Sequence, residues 1–390
     1  MSQQSFRGLG VSQPVVDALA VRSVTEPFRI QTLALPDALA GLDVLAKSPT
    51  GSGKTLAFGL PIVERTEPRD ARPSALVLVP TRELAVQVTE QLEPLGAVKG
   101  LKVAAVYGGM PIRRQTDAAR GAHVLVATPG RLEDVAQRRL VDLSRIRIFV
   151  LDEADRMLDM GFKPQVDRIV RRLPGNRQTM FFSATLDGEV GELARAYTSS
   201  PSRFEAEAPA DRAEGEIEHR FVPVTADNKL DTLVEHLGRE DGRTLVFVRT
   251  KRGADRLAHR LARKGVEAVA MHGDMTQSSR QRALRRFESG QVPVLVATDV
   301  AARGLDIEDI EHVINFDPPD EDKGYLHRTG RTGRAGKSGI AVTFVLPEQQ
   351  AETSRVASRL GHREKFEEAG MKTARARLVY TSRRSRRSKW

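Results

Sequence analysis

The chain has no cysteine among its 390 residues, which excludes a disulfide framework and any thiolate-ligated metal site. It has no apolar run of the 18 or more residues that a spanning helix needs, so none is expected. Residues 1–10 show no basic segment followed by an apolar core, so no secretory signal is expected and a cytoplasmic location fits. Acid is missing from residues 371–390, where Lys372, Arg375, Arg377, Arg383, Arg384, Arg386, Arg387 and Lys389 make eight unbalanced cations. The formal net charge is +10, so residues 1–370 carry only 10 − 8 = +2. The body is nearly neutral, and the high isoelectric point cannot itself assign it to nucleic acid; only the tail gives that hint.

What is present is enough for real cores. Hydrophobic residues make up 40% of the chain, and the length suggests two or three domains. The chain is organised around Phe149-Val150-Leu151-Asp152-Glu153-Ala154-Asp155. Three apolar residues predict a buried strand of a parallel sheet. The carboxylates then fall at its C-terminal end, where open α/β sheets place their ligands. Acids so close together need a cation or a proton, and a magnesium ion carried by a nucleotide is the candidate.

Upstream, a short strand at Asp43–Ala46 leads into Ser48-Pro49-Thr50-Gly51-Ser52-Gly53-Lys54-Thr55 and then an apolar helix. This is a phosphate-binding loop. Gly51 and Gly53 let backbone N–H groups turn toward an anion at a helix N-terminus. Lys54 reaches the β- and γ-phosphates, and the Thr55 hydroxyl can ligate magnesium. Ser48 stands where the strict pattern has its first glycine.

Further strands are expected at 74–79, 102–106, 123–127 and 178–182. They end at Pro80-Thr81-Arg82-Glu83, Tyr107-Gly108-Gly109, Thr128-Pro129-Gly130-Arg131 and Ser183-Ala184-Thr185. Turns of this kind on one sheet would share one face. Residues 201–215, poor in apolar side chains, read as a linker. The second half repeats the alternation, with strands at 244–248, 267–271, 292–297, 312–316 and 339–345, but has no phosphate loop of its own. Near its end Arg328, Arg331 and Arg334 fall three apart, on one face of a helix. With no acid beside them they are read as closing onto a nucleotide held by the first half.

Together these segments resemble the DEAD-box RNA helicases, over residues 6 to about 350. The motifs stand in family order: Gln31 with Phe6 upstream, Gly51–Thr55, Pro80–Ala85, Gly108-Gly109, Thr128–Arg131, Asp152–Asp155, Ser183–Thr185, Gln277 to Arg280, Thr298–Asp306 and His327–Arg334. The resemblance implies an α/β fold of two tandem RecA-like domains, each a parallel sheet flanked by helices. The first is expected over 1–205, a linker over 206–216, the second over 217–360, and a basic, disordered tail over 361–390.

It also implies an RNA-stimulated ATPase and helicase that uses ATP and Mg²⁺ and acts as a monomer. Phe6, Gln31, Gly51, Ser52, Gly53, Lys54, Thr55, Gly304, Asp306, Arg331 and Arg334 would bind the nucleotide. Thr55 and Asp152 would hold the metal. Glu153 would orient or deprotonate the attacking water, with Lys54, Asp152, Arg331 and Arg334 completing the catalytic set. Ser183, Thr185, Asp155 and His327 would couple nucleotide state to domain closure. Pro80, Thr81, Arg82, Gly109, Thr128, Gly130 and Arg131 would contact RNA backbone in the first domain, and Gly273, Thr298, Asp299 and Arg303 in the second.

One departure concerns the adenine. The family usually carries an aromatic three residues before the proline of the Gln motif, with a glycine before it; here Val24 and Ser23 stand there. Valine offers no π-face, which predicts weaker adenine selectivity. The rival expectations are an ATP-driven DNA helicase or translocase, and an RNA chaperone working mainly through the tail.

Overall fold

The computed structural model describes residues 5–49, 51–206, 215–239, 242–302, 310–333 and 337–374. Two compact units emerge, divided mainly at Gly215/Glu216, each built on one sheet.

The chain enters through α1 (Gln13–Val21) and α2 (Arg29–Ala40), then β1 (Val44–Lys47) and α3 (Lys54–Arg65). Next come β2 (Ala75–Leu78), α4 (Arg82–Ala97), β3 (Val103–Val106), α5 (Ile112–Gly121), β4 (Val124–Ala127) and α6 (Pro129–Gln137). The first unit continues with β5 (Ile148–Leu151), α7 (Ala154–Asp159), α8 (Lys163–Val170), β6 (Gln178–Ser183), α9 (Gly188–Tyr197) and β7 (Ser202–Glu205). Its sheet order is β3-β4-β2-β5-β6-β1-β7, parallel throughout.

The central strands β2, β4 and β5 are wholly buried apolar tetrads, as a sheet covered on both faces requires. Alternate residues serve opposite layers. Leu76, Leu125, Phe149 and Phe181 pack in one cluster; Val77, Val126, Val150 and Phe182 pack in the other. Each fully buried phenylalanine contributes about 1.5–3 kcal/mol relative to exposure.

The remaining elements are β8 (Ile217–Pro223), α10 (Lys229–Arg239), β9 (Thr244–Phe247), α11 (Lys251–Arg263), β10 (Ala268–Met271) and α12 (Gln277–Glu288). They are followed by β11 (Val294–Ala297), α13 (Asp299–Ala302), β12 (His312–Asn315), α14 (Asp322–Thr329), β13 (Gly339–Val345), α15 (Gln350–Arg359) and α16 (Arg363–Glu368). The second sheet runs β10-β11-β9-β12-β13-β8, again parallel.

Three features depart from the sequence reading. Residues 202–205, read as linker, form edge strand β7 on β1, with Val44 opposite Ser202. Its exposure alternates and Phe204 is its lone apolar residue, so the strand is made by its neighbour rather than by its own pattern. A second unread strand is β8, which pairs along seven residues of β13 although Glu218, His219 and Arg220 interrupt its apolar residues. The fold also continues past residue 360, where the tail was expected to begin. Phe366 of α16 is fully buried and Met371 nearly so, packed with Phe221, Tyr325 and Val345. One apolar residue per turn in a charged stretch gave no periodic signal. Residues 375–390, and with them most of the basic tail, lie outside the described residues.

Candidate functional site

The phosphate loop is shaped by two left-handed glycines, Gly51 (φ +80°) and Gly53, and by two contacts of the Ser52 hydroxyl. Gly53 (φ +87°) caps α3. A Cβ there would sit 2.4 Å from the Phe28 ring and 2.5 Å from Gln31 Nε2, so only glycine fits. Lys54 is 7% exposed, and its ammonium donates to the Ser48 carbonyl at 3.0 Å. The Ser52 hydroxyl donates to the Pro49 carbonyl at 2.8 Å and meets the Ser48 hydroxyl at 3.0 Å. The serine in place of the motif's first glycine is thus an anchor point of the loop.

Asp152 ends β5 with only 3% exposure. Burial pushes its carboxyl up to about 7; the Lys54 cation pulls the other way, and Glu153 and Asp155 add to the rise. Its Oδ1 accepts from the Glu153 N–H at 3.0 Å. Such a carboxylate is short of a cation. Among the described residues no group of three or more His, Cys, Asp and Glu side chains could hold a metal. Asp152 and the Thr55 hydroxyl would hold an ion only together with oxygens supplied by nucleotide phosphates.

Glu153 has a left-handed backbone (φ +51°, ψ +51°) at the cap of α7. Glutamate rarely adopts this conformation, and strain of this kind collects at functional positions. Its carboxylate pairs with Arg156 Nη1 at 2.7 Å, both side chains being largely buried. The sequence reading missed Arg156, although its i+3 spacing from Glu153 was a usable signal. The Asp155 N–H donates to Ser183 Oγ at 3.3 Å and the Thr185 N–H to the same oxygen at 3.4 Å. One buried serine at the end of β6 thus ties together the segments expected to couple.

Gln31 is buried in the first turn of α2. Its Oε1 accepts from the Phe28 N–H at 2.9 Å and its Nε2 donates to the Gly53 carbonyl at 2.9 Å. Phe6, expected at the nucleotide, is corrected: its ring is 2% exposed and packs with Leu9, Leu19, Leu35 and Leu60. It offers no face to a ligand and instead backs α2 and α3. Val24 is half-buried against the same cluster. The ring lying against the phosphate loop is that of Phe28.

The other half of the first sheet carries the residues expected to touch RNA. Thr81 caps α4, its Oγ1 accepting from the Leu84 N–H at 3.3 Å. The Arg82 guanidinium lies across Gly108 and Gly109, where added Cβ atoms would meet it at 2.9 and 2.5 Å. Arg131 Nη1 donates to the Met110 carbonyl and to Gln115 Oε1, both at 2.9 Å. Burial lowers the pKa of this guanidinium, and Asp134 opposes that. Thr128 precedes α6, and Gly130 has open space at its Cα. Pro80, Thr81, Arg82, Gly109, Thr128, Gly130 and Arg131 thus cluster beyond adjacent strands β3, β4 and β2, while Lys54, Asp152 and Ser183 follow adjacent strands β1, β5 and β6.

In the second unit Gly273 and Thr298 follow adjacent strands β10 and β11. A Cβ on Gly273 would meet Lys251 Cε at 3.4 Å. Asp299 is occupied by Arg328, whose Nε and Nη2 reach its two oxygens at 2.6 and 2.7 Å. Arg328 also donates to Asn315 Oδ1 at 3.1 Å and to the Asp317 carbonyl at 2.6 Å, and lies 5.0 Å from the Phe247 ring centroid. This corrects the reading of three acid-free arginines on one face. Arg328, at 4% exposure, is a buried tie within its own unit. Arg331 Nε donates to the His327 carbonyl at 3.1 Å. Arg303, Gly304, Asp306 and Arg334 lie outside the described residues.

Comparison with known proteins adds an independent line. Residues 28–193 match the family model for DEAD/DEAH box helicases, and residues 228–336 match that for the helicase conserved C-terminal domain. The DEAD-box ATP-dependent RNA helicase CshA of Geobacillus kaustophilus is 42% identical over 347 residues, 88% of this chain and 74% of that one. The protein of the same name from Bacillus subtilis is 41% identical over 349 residues, 89% of this chain and 70% of its own. Among solved structures, Saccharomyces cerevisiae Dbp5 bound to RNA and ADP BeF3 aligns with a TM-score of 0.79 at 32% identity, covering 96% of this chain and 95% of that one. A DEAD box protein from Methanococcus jannaschii aligns with a TM-score of 0.52 at 35% identity, covering 96% and 99%.

Proposed function

The chain belongs to the DEAD-box family of ATP-dependent RNA helicases and is an RNA-dependent ATPase; we propose that it grips RNA by its backbone without reading sequence and separates short duplexes as ATP draws its two units closed. Backbone contacts position a strand and carry no sequence information. ATP and RNA would each favour the closed state, so each tightens the other. Hydrolysis would return the open state and release the strand.

The observation that carries this reading is the division of one sheet. Phosphate-binding and acidic residues follow β1, β5 and β6, and the Arg82, Gly109 and Arg131 cluster follows β2, β3 and β4. The halves adjoin where β2 pairs with β5, so a change at Asp152 has a short path to the backbone-binding half. In this reading Gln31 reads the adenine edge, and Lys54 with the loop N–H groups holds phosphate. Glu153 accepts a proton from the water that attacks the γ-phosphorus, and the bond to the β–γ bridging oxygen breaks to give ADP and phosphate. Arg331 and Arg334 stabilise the transferring group, and Gly304 and Asp306 meet the nucleotide. Thr55 and Asp152 would hold magnesium, which would supply charge neutralisation at the phosphates when bound. Gly273, Thr298 and Arg303 add RNA contacts, His327 couples, and the protein acts as a monomer in the cytoplasm.

The test is ATP turnover with RNA, with matched single-stranded DNA and with neither, beside unwinding of a short RNA duplex. Stimulation by RNA alone, with unwinding that needs ATP, is expected. Equal stimulation by DNA would assign a DNA translocase. Strand annealing that survives Glu153→Gln, without unwinding, would assign a chaperone.

A further inference from the structure

At the opposite ends of strands β5 and β6 lies a cleft of about 590 Å³ whose charged lining is entirely basic. Arg65, Arg145, Arg147 and Arg177 face it, together with Ser144 and Asn176, and no aspartate or glutamate lines it. Ile148 and Gln178 in its wall are the first residues of β5 and β6, whereas Asp152 and Ser183 stand at the other ends of those strands. Arg65 ends α3, the twelve-residue helix that Lys54 begins, so the cleft is about 18 Å from the phosphate loop. It is separate from the nucleotide site and from the backbone-binding half.

The arginines are held in place, and only Arg147 has an acid in close ion-pair contact. Arg65 Nη1 donates to the Leu39 carbonyl at 2.9 Å, and its guanidinium packs so close to Gly41 that a Cβ there would meet Nη2 at 2.5 Å. Arg177 donates to the Pro174 and Tyr197 carbonyls, which carry no full charge, and its Nε is buried with no partner. Arg147 pairs with Asp70, and Arg145 approaches Asp142 only at 3.9 Å; neither acid lines the cleft. Burial lowers the pKa of Arg65 and of Arg177; the nearby Arg147 lowers that of Arg65 further, while Asp43 opposes the shift at Arg177. Arg65, Arg145 and Arg147 are exposed and Arg177 is half-buried, and cations drawn together in one concave wall are relieved by an anion. Planar guanidiniums match phosphate oxygens two at a time, and the volume falls within the usual range for small-ligand sites.

We propose that this cleft binds a small anion bearing a diphosphate group, the chemistry shared by inorganic pyrophosphate and a nucleoside diphosphate. A concave, four-arginine lining fits a compact polyanion better than it fits a single carboxylate. The proposal does not depend on the ATPase reading.

The experiment is calorimetric titration of pyrophosphate into the full chain carrying Lys54→Ala, which disables the phosphate loop. One saturable site is expected. Adding Arg145→Gln and Arg147→Gln should weaken it at least tenfold, since each charge-assisted contact to phosphate is worth about that factor. Should the double change disturb folding, Ser144→Asp, at an exposed lining position, places a carboxylate in the cleft and should cause the same loss. Titrating ADP in parallel separates the two sources, a tighter fit than pyrophosphate indicating a nucleoside. No saturable binding below the order of 1 mM would overturn the proposal. So would affinity that both sets of substitutions leave unchanged. RNA-stimulated ATPase of the Arg145→Gln, Arg147→Gln protein with Lys54 intact should match the wild type.

Discussion

Gln31 donates through Nε2 to the carbonyl of Gly53 at 2.9 Å, so the residue expected to read adenine is tied to the phosphate loop. The tie passes the position of one end of a nucleotide to the other. Gly53→Ala puts a Cβ into the Phe28 ring and the Gln31 amide at a left-handed position, which costs about 1–3 kcal/mol in backbone strain alone. ATP affinity should fall at least tenfold. Gln31→Ala removes the tie without adding bulk and should cost less. Titration with a fluorescent ADP analogue compares the two, and wild-type affinity for Gly53→Ala would show that the loop tolerates the shift.

Glu153→Gln should retain ATP and RNA binding while lowering kcat by about 10²–10⁴, the range for a lost general base. Lys54→Ala should weaken nucleotide binding itself. Arg156→Ala removes the cation that holds the Glu153 carboxylate at 2.7 Å, so kcat should fall while ATP affinity is kept, and Arg156→Lys should restore it in part. An unchanged kcat would show that Glu153 is positioned without Arg156.

Arg328→Ala leaves Asp299 and Asn315 Oδ1 without their guanidinium partner. Asp299 keeps a third of its side chain in solvent, so the cost is about 1.5–3 kcal/mol, that of hydrogen bonds to a charged group. The expected phenotype is a large fall in denaturant midpoint. Arg328→Lys should recover little, because one ammonium cannot span both Asp299 oxygens. A variant of wild-type stability with lost turnover would restore the reading of Arg328 as closing onto a nucleotide.

Ser23 lies at φ +59°, where the family usually has glycine. Ser23→Gly relieves the left-handed strain, offset in part by the greater freedom of an unfolded glycine. A net gain of about 1 kcal/mol or less is expected in chemical denaturation. A loss would mean that the serine side chain holds the turn before α2.

His219 stacks on His362 with ring centroids 3.9 Å apart, and its Nδ1 meets the Tyr325 hydroxyl at 2.9 Å. Burial, then the neighbouring His362, depress its pKa to about 4, and burial lowers that of His362 as well. Both rings are neutral in the fold. The stability they support is therefore complete above the unfolded value near 6.5 and is lost as pH falls toward about 4. Melting temperature should drop across that window. His219→Phe keeps a ring in the stack without a titrating group and should flatten the drop; an unchanged slope would place the acid sensitivity elsewhere.

Local pattern alone made much of this molecule legible. Apolar tetrads such as Ala75–Leu78 and Val124–Ala127 announced buried parallel strands, and glycines, Lys54 and paired acids at strand ends announced phosphate and metal chemistry, because backbone geometry and charge chemistry act over a few residues. Long-range pairing decided the rest. The acid that neutralises Arg328 is Asp299, 29 residues away, and no spacing within 328–334 could reveal it. Phe6 became core because α1, α2, α3 and α4 close around it. Ser202–Glu205 became a strand because β1 offered it an edge. The arginine cleft draws on residues from 65 to 177, and only the folded sheet brings these cations to one place. Which charges meet, and which side chains leave water, is set by the packing of distant segments, and that is where the sequence by itself fell silent.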